Sequence, residues 1–492
     1  MSYSKSNIHQ AFWLGISSIS SIFVSLVSAA ILSRFFDKVE YGTYKQIMFV
    51  YSTLLVIFEA GLPSVFSYFL PRYSLAEGKY IVKRINQILF FSGGLLSVTL
   101  FFSAEPIAQF LNNPELAKGL KLFSPFPFFT LPTLGLEGIY IVNKNTKYVA
   151  IYNTVTRILM LVCIVLPVLL YRNSYEVAIV GWGFAAVIAF FVALYLKNRP
   201  YCNVNESIKV PRIMEKVLSY SLPILGSSCI LLFYNSINQV LISRNFGTEA
   251  FAEFANGFLP LPFIGIIVTP VRKMLIPLFS KSKNENCLDE SVMFFNKAIY
   301  EMGLIIIPLC IFCFSFSKEI MLLLYGEQYT TSYVFFQINL IYNLSEIIPL
   351  QVILVGIGKT KVLFIFDFIC TLLLLFINAL LFYLNVSSPV MIAFVFVMMQ
   401  VFLRNICPYI YLRYKERVII ISKSAIVGLW RIVLHVFVVI IFVFWCSRFY
   451  DNISTTFLRL IISGILFYVL LVGSGSILRI NYLNSLKQLI QR

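Results

Sequence analysis

Two stretches of this chain, 210 residues apart, carry the same pattern. Residues 17–36 read SSISSIFVSLVSAAILSRFF, and residues 227–246 read SSCILLFYNSINQVLISRNF. The two align without a gap, and polar character is also kept at two positions where the residue differs. A duplicated apolar helix is typical of membrane transporters built as two halves around a central path. The identical positions are, in the first copy, Ser17, Ser18, Phe23, Ser33, Arg34 and Phe36.

The composition predicts an integral membrane protein. Of the 492 residues, 59% are hydrophobic and 12% are charged, and the mean hydropathy is +0.85. Soluble domains carry about 25% charged residues, so a soluble class is excluded. Apolar runs that are long enough to span the hydrocarbon core recur along the chain. The first run is too long for a cleaved signal peptide, and we expect it to be retained as the first helix.

These runs predict an all-α fold of about fourteen transmembrane helices. Six helices separate the two copies of the repeat, so both halves begin on the same side of the membrane. The prediction is therefore two parallel six-helix lobes, related by a pseudo-twofold axis along the membrane normal, plus two C-terminal helices. We expect an N-terminal lobe at 1–196, a cytoplasmic linker at 197–216, a C-terminal lobe at 217–412, and the last helices with a cytoplasmic tail at 413–492. The predicted spans are 11–33, 44–70, 85–104, 119–142, 148–170, 176–196, 217–242, 254–279, 297–317, 332–357, 362–384, 389–412, 424–446 and 455–478.

The distribution of lysine and arginine predicts the orientation of the chain. With the N-terminus placed in the cytoplasm, and with residues near the ends of spans counted to the nearer side, the cytoplasmic side holds 26 of the 39 basic residues and the external side holds 10. The positive-inside rule then predicts that both termini are cytoplasmic. A basic inner surface facing anionic membrane lipids explains the net charge of +17, and no nucleic-acid partner is predicted.

The loops after the repeated helices carry a family resemblance. Residues 32–44 read LSRFFDKVEYGTY, and residues 220–223 and 242–250 read YSLP and ISRNFGTEA. These motifs resemble those of the bacterial polysaccharide-transporter family. Its members are the lipid-linked oligosaccharide (O-antigen, Wzx-type) flippases of the multidrug, oligosaccharidyl-lipid and polysaccharide exporter (MOP) superfamily. The second copy departs from the first, with Ala252 at the position of Gly42.

The resemblance implies a flippase of the bacterial inner membrane. Its substrate would be an undecaprenyl-pyrophosphate-linked oligosaccharide repeat unit, moved from the cytoplasmic to the outer leaflet by alternating access. The product would enter a surface polysaccharide such as O-antigen or capsule, so polysaccharide-assembly proteins are implied partners. Lipid II export and multidrug export within the same superfamily remain alternatives. A membrane glycosyltransferase or polymerase is disfavoured, because no predicted external connection exceeds about 15 residues.

Polar side chains inside the predicted helices are candidates for a cavity lining. A diphosphate and its sugars need hydroxyl and amide groups along their path through hydrocarbon. The alternative is that serine and asparagine mediate contacts between helices, and for the serines this alternative is favoured. The candidates lie in the first, fifth and seventh predicted helices and are Ser18, Ser25, Ser28, Asn153, Ser228, Asn235, Asn238 and Gln239.

Cations deep in the predicted helices are candidates for diphosphate binding. A charged side chain at the centre of a span costs about 2.5–3.5 kcal/mol on insertion scales, unless it is paired or hydrated. Arg157, Arg272 and Lys273 meet this description, and arginine fits phosphate oxygens in a bidentate way. The alternative for all three is an extended side chain that reaches the inner headgroups. Arg34 and Arg244 end the paired helices and are candidates for an outer gate or for structural anchors.

Acidic residues inside the helices are candidates for ion coupling. Glu59, Asp367 and Glu346 each predict either a proton or sodium site that drives transport or a salt bridge to a cavity arginine. No nucleotide-binding glycine loop occurs, and the chain has only two histidines, so no catalytic residue, metal site or cofactor is predicted. The chemistry of the sequence thus predicts a transporter rather than an enzyme.

Overall fold

The structure, a computed structural model, describes residues 2–171, 174–204, 206–259, 261–284, 288–416, 420–448, 455–478 and 480–482. Within these ranges the regular secondary structure is helical and includes no β-strand, which confirms the all-α prediction. The chain forms two compact units, Met1–Ala252 and Glu253–Arg492. The predicted lobe and linker boundaries stay a prediction, and the end of the predicted cytoplasmic tail, residues 483–492, lies outside the described residues.

The first unit is a set of long helices joined by short turns. The first helix packs along the eighth, and the eighth packs against the ninth. In chain order the helices are α1 (Ser2–Phe35), α2 (Lys38–Glu59), α3 (Leu62–Phe69), α4 (Leu75–Phe110), α5 (Pro114–Phe123), α6 (Pro127–Thr130), α7 (Leu136–Val142), α8 (Thr146–Leu170), α9 (Tyr175–Asn198) and α10 (Ile213–Gly257), whose last residues belong to the second unit.

The second predicted span is broken between α2 and α3. Ala60 and Gly61 both adopt left-handed backbone angles, with φ of 49° and 67°, and Pro63 follows in the first turn of α3. Left-handed residues end an α-helix, and a proline is tolerated where a new helix begins. The chain bends by 40° at this point. Glu59 is the last residue of α2 and therefore stands directly at the break.

The second unit continues the pattern of long and broken helices. Its twelfth helix packs against the nineteenth, and the nineteenth against the twentieth. In chain order the helices are α11 (Pro262–Asn284), α12 (Leu288–Ser315), α13 (Ser317–Tyr325), α14 (Ser332–Ser345), α15 (Leu350–Gly356), α16 (Thr360–Tyr383), α17 (Pro389–Val401), α18 (Cys407–Tyr414), α19 (Lys423–Ser447) and α20 (Thr456–Ile477).

The repeat found in the sequence recurs in the backbone. Helices α7 and α15 begin 214 residues apart, and so do α8 and α16. Lys144 and Gly358, with the same spacing, both adopt left-handed angles just before α8 and α16, with φ of 55° and 77°. Asp37 interrupts the helix between α1 and α2, and Gly247, 210 residues later, interrupts α10 with φ 84° and ψ −179°. The two copies therefore share helix ends as well as residues.

The sequence predicts about fourteen membrane spans, and most of them correspond to long apolar helices of the structure. Ten described helices are long and apolar enough to cross a membrane, or twelve if each of two bent pairs counts as one span. The bent pairs are α2 with α3 and α14 with α15. Neither α11 nor the predicted span 119–142, which is divided among α5, α6 and α7, is among them. The multi-pass membrane fold is confirmed, and the count of fourteen stays a prediction.

Candidate functional site

A cavity of about 190 Å³ in the first unit brings together α1, α2, α8 and α9. Its lining includes Ser25 and Ser28 of α1, Lys45 of α2 and Arg157 of α8. None of the described residues that line it is acidic, so its walls carry two positive charges. Two of the predicted lining serines and the predicted cation Arg157 therefore share one cavity.

The two cations of this cavity have different surroundings. Lys45 is half-buried, and its Nζ lies 5.2 Å from the centroid of the Tyr41 ring. Arg157 is exposed, and its Nη1 lies 4.0 Å from the sulfur of Met160, a weak acceptor. Within the described ranges Arg157 pairs with no carboxylate. Its guanidinium therefore keeps donors that a bound anion can use.

In the second unit, Glu346 lies between two arginines. One carboxylate oxygen accepts a hydrogen bond from Arg404 Nη1 at 2.6 Å, and the other accepts one from Arg272 Nη2. Arg404 Nη1 also donates to the hydroxyl of Tyr342 at 2.7 Å. The Glu346 side chain is 9% exposed, whereas those of Arg272 and Arg404 are 32% and 22% exposed. Glu346 thus adopts the salt-bridge alternative of its prediction, and the cluster carries one net positive charge.

A π-helical turn at Phe402–Ile406 directs Arg404 into this cluster. Pro408 has no N–H group, so the carbonyl of Arg404 cannot receive the usual bond from four residues ahead. The N–H of Cys407 instead donates to the carbonyl five residues before it. The same turn directs the amide of Asn405 to a backbone carbonyl at the end of α14, at 3.0 Å. Such turns are frequent at functional sites.

The two arginines border a cavity of about 160 Å³ that also involves α14, α15 and α16. Nε of Arg272 is buried and has no hydrogen-bond partner in the described part of the chain. An unsatisfied buried donor costs about 1–3 kcal/mol, which a bound acceptor would recover. The amides of Gln351 and Asn405 face the same space. This arrangement can receive an anion with polar groups beside it.

Glu59 and Asp367 stand apart from these ion pairs. Both are half-buried, and neither carboxylate makes a hydrogen bond or ion pair with the described residues. No group of three or more His, Cys, Asp or Glu among the described residues could hold a metal ion. The coupling role of these two carboxylates stays a prediction.

The other polar candidates do not gather in either cavity. Asn153 Nδ2 donates to Ser17 Oγ at 2.7 Å and so joins α8 to α1. Asn238 is buried, and its Oδ1 accepts from the backbone N–H of Gln239 at 2.9 Å. Lys273 is exposed and does not line the cavity of Arg272. The remaining candidates are half-buried or exposed, namely Ser18, Ser228 and Asn235.

The gate candidates lie near a polar contact between α4 and α10. The Arg244 guanidinium lies 4.6 Å from the centroid of the Phe110 ring, and its backbone carbonyl accepts from Asn112 Nδ2 at 2.9 Å. Arg34 is exposed near the end of α1. The prediction of an outer gate thus falls on a place where helices of the first unit meet.

Buried amides extend this contact to α2. Gln46 Nε2 donates to Ser243 Oγ at 2.7 Å, and Asn113 Nδ2 donates to Gln46 Oε1 at 2.6 Å. A Cβ placed on Gly42 would lie 2.3 Å from the carbonyl oxygen of Thr248, so only glycine permits this backbone approach. We call these residues the α2–α10 contact. It lies at the end of the first unit that is predicted to be external.

Three cations that are buried or line a cavity in the structure are not among the candidates predicted from the sequence. Lys45 stands at the start of a predicted span, where a long side chain ordinarily reaches the headgroups, so its sequence signal was weak. Arg404 lies deep in the twelfth predicted span, the same signal that singled out Arg157. Lys197 is fully buried, and its Nζ donates to Asn86 Oδ1 at 2.9 Å and to the carbonyl of Pro132 at 2.7 Å.

An ion pair outside the membrane spans lies at the predicted cytoplasmic end of the second unit. Lys359 Nζ lies 2.9 Å from Glu416 Oε1, and Tyr411 also donates to that oxygen at 3.4 Å. The hydrogen bond from Lys359 lowers the pKa of Glu416, and the same carboxylate raises the pKa of Lys359. Both groups therefore stay charged around neutral pH, and they link the start of α16 to the end of α18.

Solved structures of membrane proteins share the fold of this chain. The fold is similar to that of a lipid II flippase, MurJ, in its inward closed conformation, with a TM-score of 0.68, 16% identity, and coverage of 96% of this chain and 99% of that one. It is also similar to an inward-facing multidrug resistance MATE family transporter of the MOP superfamily, with a TM-score of 0.56, 13% identity, and coverage of 83% and 96%. The chain therefore has the fold that these two membrane proteins share.

The family follows from the sequence match. The family model described as polysaccharide biosynthesis protein matches residues 8–283, more than half of the chain, and the chain belongs to this family. It is also similar to the succinoglycan biosynthesis transport protein ExoT of Rhizobium meliloti (strain 1021). The two are 21% identical over 364 residues, which cover 72% of this chain and 69% of that protein. The resemblance inferred from the loop motifs is thereby confirmed.

Proposed function

We propose that this protein is a flippase for undecaprenyl-pyrophosphate-linked oligosaccharide repeat units. It would move them from the cytoplasmic to the outer leaflet of the bacterial inner membrane, by alternating access, for assembly of a surface polysaccharide such as O-antigen or capsule. The family description, polysaccharide biosynthesis protein, supports a role in polysaccharide assembly. The Rhizobium relative is named as a succinoglycan biosynthesis transport protein, which supports transport as that role. Polysaccharide-assembly proteins would receive the product.

The observation that carries the proposal is the excess of cations over acids in both cavities. The cavity of the first unit is lined by Lys45 and Arg157 without a described carboxylate, and that of the second by Arg272 and Arg404 with Glu346 alone. A diphosphate is held by charge-assisted hydrogen bonds, for which the planar arginine fork is well suited. Hydroxyl and amide groups beside the cations are suited to the first sugar.

Ion coupling is the proposed source of energy. Glu59 stands at a helix break and Asp367 on α16, and both carboxylates are half-buried without a hydrogen-bond partner in the described residues. A carboxylate in such a position can take up a proton or a sodium ion and change the balance between two conformations. Lys273, exposed on α11, is a secondary candidate for the cytoplasmic entry of the diphosphate.

Lipid II is the second candidate substrate. It carries the same diphosphate, and the structural similarity to the lipid II flippase MurJ covers 96% of this chain. Multidrug export is less well supported, because a lining with an excess of cations repels the cationic drugs that such exporters carry.

Transport by the purified protein in vesicles tests the proposal. Flipping of an undecaprenyl-diphosphate-linked oligosaccharide would be compared with flipping of lipid II. We expect Arg157→Ala and Arg272→Ala each to slow flipping by about tenfold or more, since a charge-assisted hydrogen bond contributes about 1.5–3 kcal/mol. Lysine at either position should restore part of the rate.

Arg448→Ala is the matched control, because Arg448 is exposed at the end of α19 and lines neither cavity. Its flipping rate should equal that of the unmodified protein. Equal rates in all three alanine variants would exclude the two arginines from the mechanism. Flipping of lipid II but not of the oligosaccharide lipid would decide for the second candidate.

A further inference from the structure

A separate cation-bearing cavity lies in the second unit, away from Arg272 and Arg404. It measures about 270 Å³ and is formed by α13, the end of α19 and the start of α20. Its polar lining includes Lys318, Arg459, Ser447 and Thr456. The distribution of basic residues predicts that these helix ends are external. Neither the family nor the proposed transport path assigns a role to this cavity.

Arg459 is the feature that points to a ligand. Its Nε is buried and has no hydrogen-bond partner, and the guanidinium makes no ion pair with the described residues. A buried polar group without a partner is costly, and more so when it is charged. Arg459 also stands in the first turn of α20, where the helix dipole favours a negative charge. The unpaired guanidinium and the dipole of α20 both favour a bound anion at this place.

The remaining charges leave the cavity cationic. Lys318 is exposed at the cavity edge, and Glu319 is the one acidic residue in the described lining. Glu319 forms no ion pair with Lys318 or Arg459, so it does not satisfy either cation. One net positive charge remains among the described residues of the lining. The Thr456 hydroxyl adds a donor that is not used by the described residues.

The apolar surroundings favour a lipid over a soluble anion. Phe316 and Phe444 stack on one wall with ring centroids 5.2 Å apart. Trp445 and Phe457, which stand beside the cavity in α19 and α20, are each 55% exposed. Exposed tryptophan is typical of the membrane–water interface. The cavity therefore opens at the level of lipid headgroups, with apolar surface for acyl chains at its edge.

We propose that this cavity binds the phosphate group of an anionic lipid of the outer leaflet. Arg459 donates to the phosphate oxygens, with Lys318 and Thr456 at its side, while the apolar wall contacts the lipid chains. Two lipids share this chemistry, an anionic phospholipid and a polyprenyl phosphate.

Lipid binding to the full-length protein in detergent tests the proposal. The probe is phosphatidylglycerol, and its half-saturation concentration is measured by native mass spectrometry. We expect Arg459→Gln to raise this concentration about tenfold, which corresponds to about 1.4 kcal/mol. Arg448→Gln is the matched control, since Arg448 is exposed at the same end of the protein and lies outside the cavity, and it should change the value less than twofold.

Glu319→Gln is expected to strengthen lipid binding, a result that a misfolded variant would not give. Removing the carboxylate from the cavity should lower the half-saturation concentration about two- to threefold. Equal weakening in the Arg459 and Arg448 variants would mean non-specific attraction and overturn the proposal. So would unchanged binding in both the Arg459 and Glu319 variants.

Competition experiments identify the source of the phosphate. If undecaprenyl phosphate displaces phosphatidylglycerol at a concentration tenfold lower than unlabelled phosphatidylglycerol does, the cavity is assigned to the polyprenyl lipid. Weaker displacement would assign it to the phospholipid. Inorganic phosphate that competes as well as either lipid would contradict the lipid part of the proposal.

Discussion

Glu346 acts as the resident counter-ion of Arg272 and Arg404, and this leads to a prediction about a single residue. In Glu346→Gln the two guanidinium groups lose their carboxylate, which we expect to destabilise the protein by about 2 kcal/mol, less than for a fully buried pair. Added pyrophosphate should then stabilise the variant more than the unmodified protein, because it can occupy the vacated place. Thermal unfolding with and without pyrophosphate measures both effects.

The control for this variant is Glu301→Gln, since Glu301 pairs with Lys297 at only 3.9 Å near the surface. It should unfold at an almost unchanged temperature and show no added response to pyrophosphate. If pyrophosphate stabilises the Glu346 variant no more than it stabilises the unmodified protein, the two arginines do not form an anion site.

Individual residues of this cluster were predictable from the sequence, and their pairing was not. Arg272 and Glu346 each stood out as charges inside apolar spans. Arg404 lies inside the π-helical turn before Pro408, where the backbone departs from the regular α-helical repeat. A regular repeat, applied to the sequence, does not include that departure.

At the scale of helices, Lys197 stabilises the broken fourth span. Its Nζ meets the carbonyls of Pro132 and Leu134, which lie at the break between α6 and α7, at 2.7 and 2.5 Å. In Lys197→Met these carbonyls lose their donor, and each buried unsatisfied group costs about 1–3 kcal/mol. We expect a net loss of about 2 kcal/mol, since the cost of burying the ammonium is removed at the same time.

Thermal unfolding and hydrogen exchange measure this prediction. Exchange should become faster in residues 131–140 and stay unchanged in residues 345–354, the corresponding break of the second unit. Lys121→Met is the control, because Lys121 forms an exposed pair with Glu105 that contributes little. Similar unfolding temperatures for both variants would show that Lys197 does not support the break.

The break in the fourth span was predictable from the sequence, but the side chain that stabilises it was not. Pro125, Pro127 and Pro132 lie inside the predicted span 119–142, and prolines are typical of kinked or broken membrane helices. The charge that satisfies the freed carbonyls comes from α9, more than sixty residues away. Such long-range partners depend on how helices pack, which neither periodicity nor hydropathy records.

At the scale of the whole molecule, the proposed alternating access requires the α2–α10 contact to open and close. Gly42 offers a way to keep it from closing, because a Cβ on Gly42 would lie 2.3 Å from the carbonyl oxygen of Thr248. A side chain at this position therefore requires α2 and α10 to move apart. In Gly42→Val, flipping in vesicles should fall by more than tenfold, because the transport cycle cannot be completed without forming the contact.

Gly473→Val is the control for this experiment, because a Cβ on Gly473 of α20 would have open space around it. Its flipping rate should equal that of the unmodified protein. Thermal unfolding of both variants separates a loss of transport from a loss of folding. Full transport by a folded Gly42 variant would mean that the substrate leaves by a route that does not involve this contact.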